Sequence, residues 1–417
     1  MDYKFLPQTD PAVAELIAAE EKRQASGLEL IASENYTSPA VLETMASVLQ
    51  NKYSEGYPGK RYYAGNEVID KVEQLAIDRA KELFGVNFVN VQALSGSPAN
   101  LAVYFALVEA GDTILGLKLD HGGHLSHGHP VNFTGKTYNF VQYGCNPKTG
   151  LVEMDEVDAL AEEHKPKMIV AGFSAYSRDF DWKRFKEIAD KVGALTFADI
   201  AHVAGLIAAK QIPGPVEAGF DVITTTTHKT LRGPRGALIL SRDEEIAKKI
   251  NRAVFPGIQG GPHEHIIAAI AVALGEALKP EFIEYSKQII LNAKKLAEEL
   301  MQKDFKIVSD GTDNHLMVVD LRNKNIGGKK FTETLDKTGI TASASTIPND
   351  PNPPMQPSGI RFGTPAITTR GMGEAEMVKI AEWISRVAEK PEDADELGKI
   401  KKEVEELAKG FPVPGVS

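Results

Sequence analysis

Between residues 85 and 245, short apolar runs alternate with longer segments whose apolar positions recur every three or four residues. The runs are Phe88–Val91, Thr113–Leu117, Met168–Ala171, Leu195–Ala198, Val222–Thr225 and Ala237–Leu240, and segments such as Ala99–Glu109 and Asp181–Val192 read as helices between them. Continuous apolar strands separated by helices predict an α/β fold with a mainly parallel sheet covered on both faces. Ligands of such sheets bind beyond the carboxyl ends of the strands. Polar residues directly after the runs are therefore the first candidates for chemistry. Upstream, Val13, Leu16 and Ile17 share one face of a helix expected over Pro11 to Gln24. The segment Tyr53–Tyr63, rich in Gly, Pro and Tyr, predicts an ordered loop. Downstream, one long helical stretch from His265 to Gln302 is expected to carry the joint to a smaller domain. That domain has strand-like runs at Lys306–Val308 and Leu316–Leu321, a loop from Pro348 to Pro357, and a last helix marked by Leu397, Ile400, Val404 and Leu407.

Composition narrows the class. The 417 residues are 42% hydrophobic and 25% charged, as in an ordinary globular protein of two or three domains. The longest strongly apolar run, Ile266 to Leu274, is about half the ~20 residues of a membrane span. No signal peptide is visible at the N-terminus, and the single Cys145 excludes an internal disulfide or a multi-cysteine zinc site. The net charge of −10 disfavours nucleic acid and anionic membranes as partners, while leaving room for a local basic pocket. A cytoplasmic enzyme or binding protein is expected.

The candidate chemistry follows the strands. Val222–Thr225 runs on into Thr226, Thr227, His228 and Lys229, then Arg232 and Arg235. A lysine at a strand end can lose its proton by desolvation and attack a carbonyl to form a Schiff base. An ordinary lysine only packs its stem, but several cations at one strand end require an anionic partner. Asp199 ends an earlier run, with His202 shortly after. It is either a helix N-cap or a carboxylate for the pyridine nitrogen of pyridoxal phosphate. Ser95-Gly-Ser-Pro-Ala-Asn100 opens a helix, where the N–H groups of Gly96, Ser97 and Ala99 suit an anion. His121, His124, His127 and His129 lie in one glycine-rich stretch. With no acidic cluster around them to complete a coordination shell, a histidine here fits stacking on a flat cofactor ring better than a metal site. Arg361, framed by Gly359 and Gly363, suits bidentate capture of a carboxylate, with a structural ion pair as the rival.

These segments resemble serine hydroxymethyltransferase, a fold-type I (aspartate aminotransferase-like) pyridoxal phosphate family. The resemblance rests on Leu30–Asn35, Glu55–Tyr63, His121–Leu125, Thr224–Gly236, Gly260–Pro262 and Gly311–Leu316, in that order along nearly the whole chain. It implies an N-terminal helical arm (1–30), a large cofactor domain (31–280) and a small α+β C-terminal domain (281–417), in a homodimer with shared active sites. It implies reversible transfer of the serine hydroxymethyl group to tetrahydrofolate, giving glycine and 5,10-methylenetetrahydrofolate. By matching position, Lys229 carries the cofactor, Asp199 meets its ring nitrogen and His124 stacks on the ring. Ser174 and His202 lie by its phenolic oxygen. Gly96, Ser97 and His228 hold the phosphate, with Tyr53 and Gly261 contributed across subunits. Thr226 and Arg235 join the catalytic and cofactor sets. Ser33, Tyr62, Tyr63 and Arg361 address the amino acid, and Glu55 is the acid–base group near its hydroxyl. Leu119, Gly123, Leu125, Ser345, Asn352, Pro353 and Pro354 line the folate site. No metal is expected.

The chain departs from the usual family pattern at Ala64, Asn66, Ala93, Leu94 and Pro98, and at Ser343-Ala344-Ser345, where Asn-Lys-Asn is usual. The cofactor positions are intact, so the departures bear on folate and substrate range. A folate-independent aldolase for β-hydroxy amino acids such as threonine is the enzyme alternative. A non-catalytic RNA-binding or scaffold protein on this fold is disfavoured by the charge and by Lys229.

Overall fold

The computed structural model describes residues 3–416. The chain packs as two units, Ala40–Lys287 and Met1–Pro39 with Gln288–Ser417. The 31–39 segment and the N-terminal helix Pro11–Ser26 thus belong to the smaller unit, and the boundary falls inside the helix Pro280–Gln302.

The larger unit is built on seven strands: β1 (Phe88–Asn90), β2 (Thr113–Leu117), β3 (Asn139–Tyr143), β4 (Met168–Gly172), β5 (Leu195–Asp199), β6 (Val222–Thr226) and β7 (Ala237–Ser241). Their order is β1-β7-β6-β5-β4-β2-β3. β2 to β6 pair in parallel, whereas β7 is antiparallel to both neighbours. Every residue of β4, β6 and β7 is buried, which requires cover on both faces. One face packs on Ala99, Ala102, Val103 and Tyr104 of helix α1 (Gly96–Leu107). The six apolar runs are strands. β3 was not expected, because this edge strand reads Asn-Phe-Val-Gln-Tyr and only Tyr143 is fully buried. The helical stretch from His265 is two helices, α2 (Glu264–Ala277) and α3 (Pro280–Gln302). Pro280 explains the break, because it lacks the N–H that a continuous helix needs.

In the smaller unit, β8 (Lys306–Ile307), β9 (Leu316–Asp320), β10 (Ser343–Ser345) and β11 (Gly359–Gly363) form an antiparallel sheet in the order β8-β9-β11-β10. Its core joins Val319, Phe362 and Ile360 to Leu296, Phe331, Ile384 and Val404. Leu28–Glu29 pairs in parallel with Ile340–Thr341, and Gly363 N donates to Leu30 O at 2.8 Å. A Cβ on Gly363 would sit 2.4 Å from Ala32 Cα. Glycine therefore lets the 30–33 segment, and Ser33 with it, lie against the end of the strand that carries Arg361. Among the described residues no helix is long and apolar enough to cross a membrane.

Candidate active site

In the larger unit the expected residues gather where the parallel strands end. Asp199 is the last residue of β5, Thr226 the last of β6, and Lys229 follows three residues on. Ser174 lies just past β4, with its N–H on Gly122 O at 2.7 Å. β1 runs parallel to β6, since both are antiparallel to β7, so α1 starts at the same edge.

Asp199 is the electrostatic centre. It is buried, yet Asn100 Nδ2 donates to Oδ2 at 2.7 Å, His127 Nε2 lies 3.2 Å from Oδ2, and Ala201 N donates to Oδ1 at 3.0 Å. Burial alone would push this carboxyl up; the His127 and Asn100 contacts outweigh it and hold Asp199 well below the usual carboxylate range. A buried carboxylate calls for a cationic partner. Burial lowers His124 to about 4, and the charge of Lys229 adds to that, so its imidazole is neutral. Its Nδ1 lies 2.7 Å from Ser126 Oγ, which fixes the ring. Burial, then Lys229 and Arg235, bring His228 down to about 3, and its buried Nδ1 has no hydrogen-bond partner.

The cation cluster is smaller than the sequence suggests. His228 is neutral, and Arg232 stacks on Tyr285, 4.0 Å from the ring centroid, with Phe282 at 5.6 Å. Arg235 is exposed. At the head of α1, a Cβ on Gly96 would fall 2.8 Å from Thr226 Cγ2. Only glycine leaves that corner open between the helix start and the strand end. Thr226 Oγ1 is tied to Ala201 O at 3.3 Å, and the buried His202 accepts Thr230 Oγ1 on its carbonyl at 3.2 Å.

These features fit pyridoxal phosphate. The ionised Asp199 suits a cationic ring nitrogen, and His124 offers a neutral ring to stack. The unpartnered His228 Nδ1 and the open Gly96 corner suit a phosphate at a helix start. His124, His127 and Asp199 also place one ligand atom each within 4.8 Å of one another. Both nitrogens of His127 are engaged, Nδ1 by His124 N–H and Nε2 by Asp199, so the trio is a hydrogen-bonded support for the carboxylate. The acidic member arrives 72 residues further along the chain, beyond what spacing reveals.

Asn100, Ser126 and His127 were missed as site residues. Asn100 Nδ2 also reaches Ser126 Oγ at 2.8 Å, and its Oδ1 accepts Thr224 Oγ1 at 2.6 Å. An asparagine four residues after Gly96, on the face that carries Val103 and Tyr104, is the signal that was available.

A second cluster lies on the loop that follows residue 52. Tyr53 and Tyr63 meet edge-on with centroids 5.3 Å apart, and the exposed Tyr62 lies 5.5 Å from Phe255. A Cβ on Gly260 would be 3.3 Å from Glu55 Oε1, and one on Gly261 would be 3.2 Å from the Tyr53 ring. The structure thus brings Tyr53, Glu55 and Gly261 together. Leu119, Gly123 and Leu125 surround the short helical turn after β2; Gly123 N donates to Lys118 O at 2.8 Å, and Leu125 is exposed.

The remaining candidates lie on the smaller unit. Arg361 is the central residue of β11, opposite Val318 and Ser343, and burial pulls its guanidinium down to about 10. Ser345 Oγ donates to Thr346 O at 3.1 Å. Asp350 organises the next loop, accepting from Asn352 N, Ser358 N and Ser358 Oγ, while Asn352 Nδ2 donates to Ser358 Oγ at 2.9 Å. Pro353 and Pro354 are exposed.

Comparison with known proteins shows the family. The sequence profile described as "Serine hydroxymethyltransferase" matches residues 6–384. A protein of that name from Acinetobacter baylyi is 57% identical over 409 residues, covering 98% of each chain. Another, from Deinococcus deserti, is 58% identical over 405 residues, covering 97% of this chain and 98% of that protein. With the match running end to end, this chain belongs to the serine hydroxymethyltransferase family.

Proposed function

We infer that this fold-type I enzyme transfers the serine hydroxymethyl group reversibly to tetrahydrofolate, giving glycine and 5,10-methylenetetrahydrofolate, with pyridoxal phosphate as cofactor. The observation that carries this is the placement of Lys229 and the buried, ionised Asp199 at the carboxyl ends of two adjacent parallel strands, in a chain that matches the family over residues 6–384. When bound, pyridoxal phosphate supplies a cationic conjugated ring that accepts the electron pair released at the amino-acid Cα.

The protein's own residues divide the remaining work. Lys229 Nζ would hold the cofactor covalently and would yield that place to the substrate amine. Asp199 keeps the proton on the ring nitrogen; Asn100 and His127 keep Asp199 ionised. His124 stacks as a neutral ring, and Ser174 and His202 serve the phenolic oxygen. Gly96, Ser97 and His228 hold the phosphate. Arg361 binds the substrate carboxylate, an anion that offsets the cost of burying its guanidinium. Ser33, Tyr62 and Tyr63 help to orient the amino acid. Glu55 moves the proton at the substrate hydroxyl oxygen. Leu119, Gly123, Leu125, Ser345 and the 352–354 turn receive the folate.

We also place the protein in the cytoplasm as a homodimer. The exposed Tyr62 at Phe255, and Phe105 beside Gly257, form an apolar patch that suits a second copy. On this reading Tyr53 and Gly261, which already touch, serve the partner's phosphate site together. The test is product formation from serine by the cofactor-loaded protein. Glycine and methylenetetrahydrofolate should appear in equal amounts, with turnover dependent on tetrahydrofolate. Equal serine cleavage without folate, or a preference for threonine, would overturn the reading.

A further inference from the structure

The Glu55 loop is held from both sides by buried groups. Ser54, fully buried, donates its hydroxyl to Glu264 Oε1 at 2.5 Å. Arg61 Nη1 donates to Ser54 O at 2.8 Å and to Gly56 O at 3.1 Å, and Gln92 Nε2 donates to Gly56 O at 2.9 Å. The residues before and after Glu55 are thus pinned while its own side chain projects toward Gly260. Arg61 faces three carboxyl groups but pairs with only two, Asp70 at 2.8 Å and Glu73 at 2.7 Å. The third, Glu264, is 1% exposed, and its Oε2 has no hydrogen-bond partner. Burial, opposed by the Ser54 hydroxyl, pushes Glu264 up to about 7. A group this costly to bury is better replaced by an apolar side chain unless its acceptor oxygen is needed.

Glu264 begins α2, four residues after Gly260 and three after Gly261. Through Ser54 it therefore ties the loop to the same chain segment that Glu55 and Tyr53 touch. We propose that Glu264 is a positioning residue for the reaction: by accepting the Ser54 hydroxyl it fixes residues 53–57 and sets Glu55 and Tyr53 against Gly260 and Gly261. The kinetic part rests on the reading of Glu55 as the acid–base group; the positioning part does not.

The test uses E264L, E264Q, S54A and the double variant S54A/E264L in the full-length enzyme, with E55Q alongside. Losing one hydrogen bond of this kind costs about two- to tenfold. E264L and S54A should lower kcat for serine with tetrahydrofolate by several-fold to tenfold, with serine KM within about twofold. Amide hydrogen exchange in residues 53–57 should quicken by a similar factor with and without cofactor. E264Q keeps an acceptor oxygen and should restore both readouts. The double variant should be no worse than either single, because both remove one bond. Wild-type exchange and kcat in E264L and S54A, additive losses, or E264Q as impaired as E264L would each overturn the proposal. S54A keeps the test open if E264L does not fold. If E55Q leaves turnover unchanged, the acid–base reading of Glu55 fails, and the exchange data still decide whether Glu264 positions the loop.

Discussion

Removing the Asn100 side chain separates what stabilises the site from what tunes its chemistry. Asn100 is 1% exposed and makes three hydrogen bonds: to the Asp199 carboxylate at 2.7 Å, to Ser126 at 2.8 Å and from Thr224 at 2.6 Å. A bond to a charged group is worth about 1.5–3 kcal/mol and each neutral one about 0.5–1.5 kcal/mol. Asn100→Ala should therefore cost about 2.5–6 kcal/mol, because it also leaves the Thr224 and Ser126 hydroxyls buried without this partner. For a unit of this size that is a fall in Tm of roughly 5–24 °C. The effect on Asp199 is different. Losing about 1.5–3 kcal/mol raises its pKa by about one to two units. It begins well below the usual carboxylate range and keeps its His127 and Ala201 contacts, so it stays ionised at neutral pH. The expected result is a large drop in Tm by differential scanning fluorimetry at pH 7.5, with the visible absorbance maximum of the bound cofactor unchanged. A Tm within about 2 °C of wild type would refute the hydrogen-bond accounting. An unchanged Tm with loss of the cofactor band would instead mean that Asn100 acts on the cofactor directly.

Three further outcomes follow from the smaller unit. Burial, with Glu34 nearby, pushes Glu29 up to about 8 from an ordinary 4.5. A carboxyl with a raised folded pKa gives stability that is fully present below about 4.5 and is lost as pH rises through 8; Glu29→Gln should flatten the fall in Tm between pH 6 and pH 9, by the equivalent of a few kcal/mol at the alkaline end, and a slope equal to wild type would refute this. Arg370 donates to Gly27 O, Ala25 O, Ala408 O and Phe411 O at the ends of helices Pro11–Ser26 and Ala394–Lys409; Arg370→Met should lower Tm by several degrees and quicken hydrogen exchange in both last turns, whereas unchanged exchange would count against the clamp. Ser345→Asn supplies the amide usual in the family in place of a hydroxyl that only reaches Thr346 O; titration of the enzyme–glycine complex should show tetrahydrofolate binding tightened about two- to tenfold with glycine affinity unchanged, and equal folate affinity would make the substitution neutral.

Most of the fold was legible because the buried strands are short apolar runs, and their periodicity differs from that of the helices. β3 escaped because an edge strand such as Asn139–Tyr143 carries polar residues where a central strand cannot. Lys229, Asp199 and Gly96 were legible because each lies at or just past a strand end or opens a helix at the same sheet edge. Asn100 and His127 were not, because their role lies in contacts spanning 99 and 72 residues. The strand-end cations were overcounted because sequence shows neither that Arg232 spends its charge on Tyr285 nor that burial leaves His228 neutral. The Ser54–Glu264 pair, 210 residues apart, has no local signal at all.

The central claim is that Lys229, at the end of β6, carries the cofactor opposite Asp199. Borohydride reduction of the pyridoxal phosphate-loaded protein, followed by peptide mass mapping, tests it most directly. The account predicts a single pyridoxyl adduct, on Lys229, and no adduct when serine is saturating before reduction. An adduct on another lysine would contradict it.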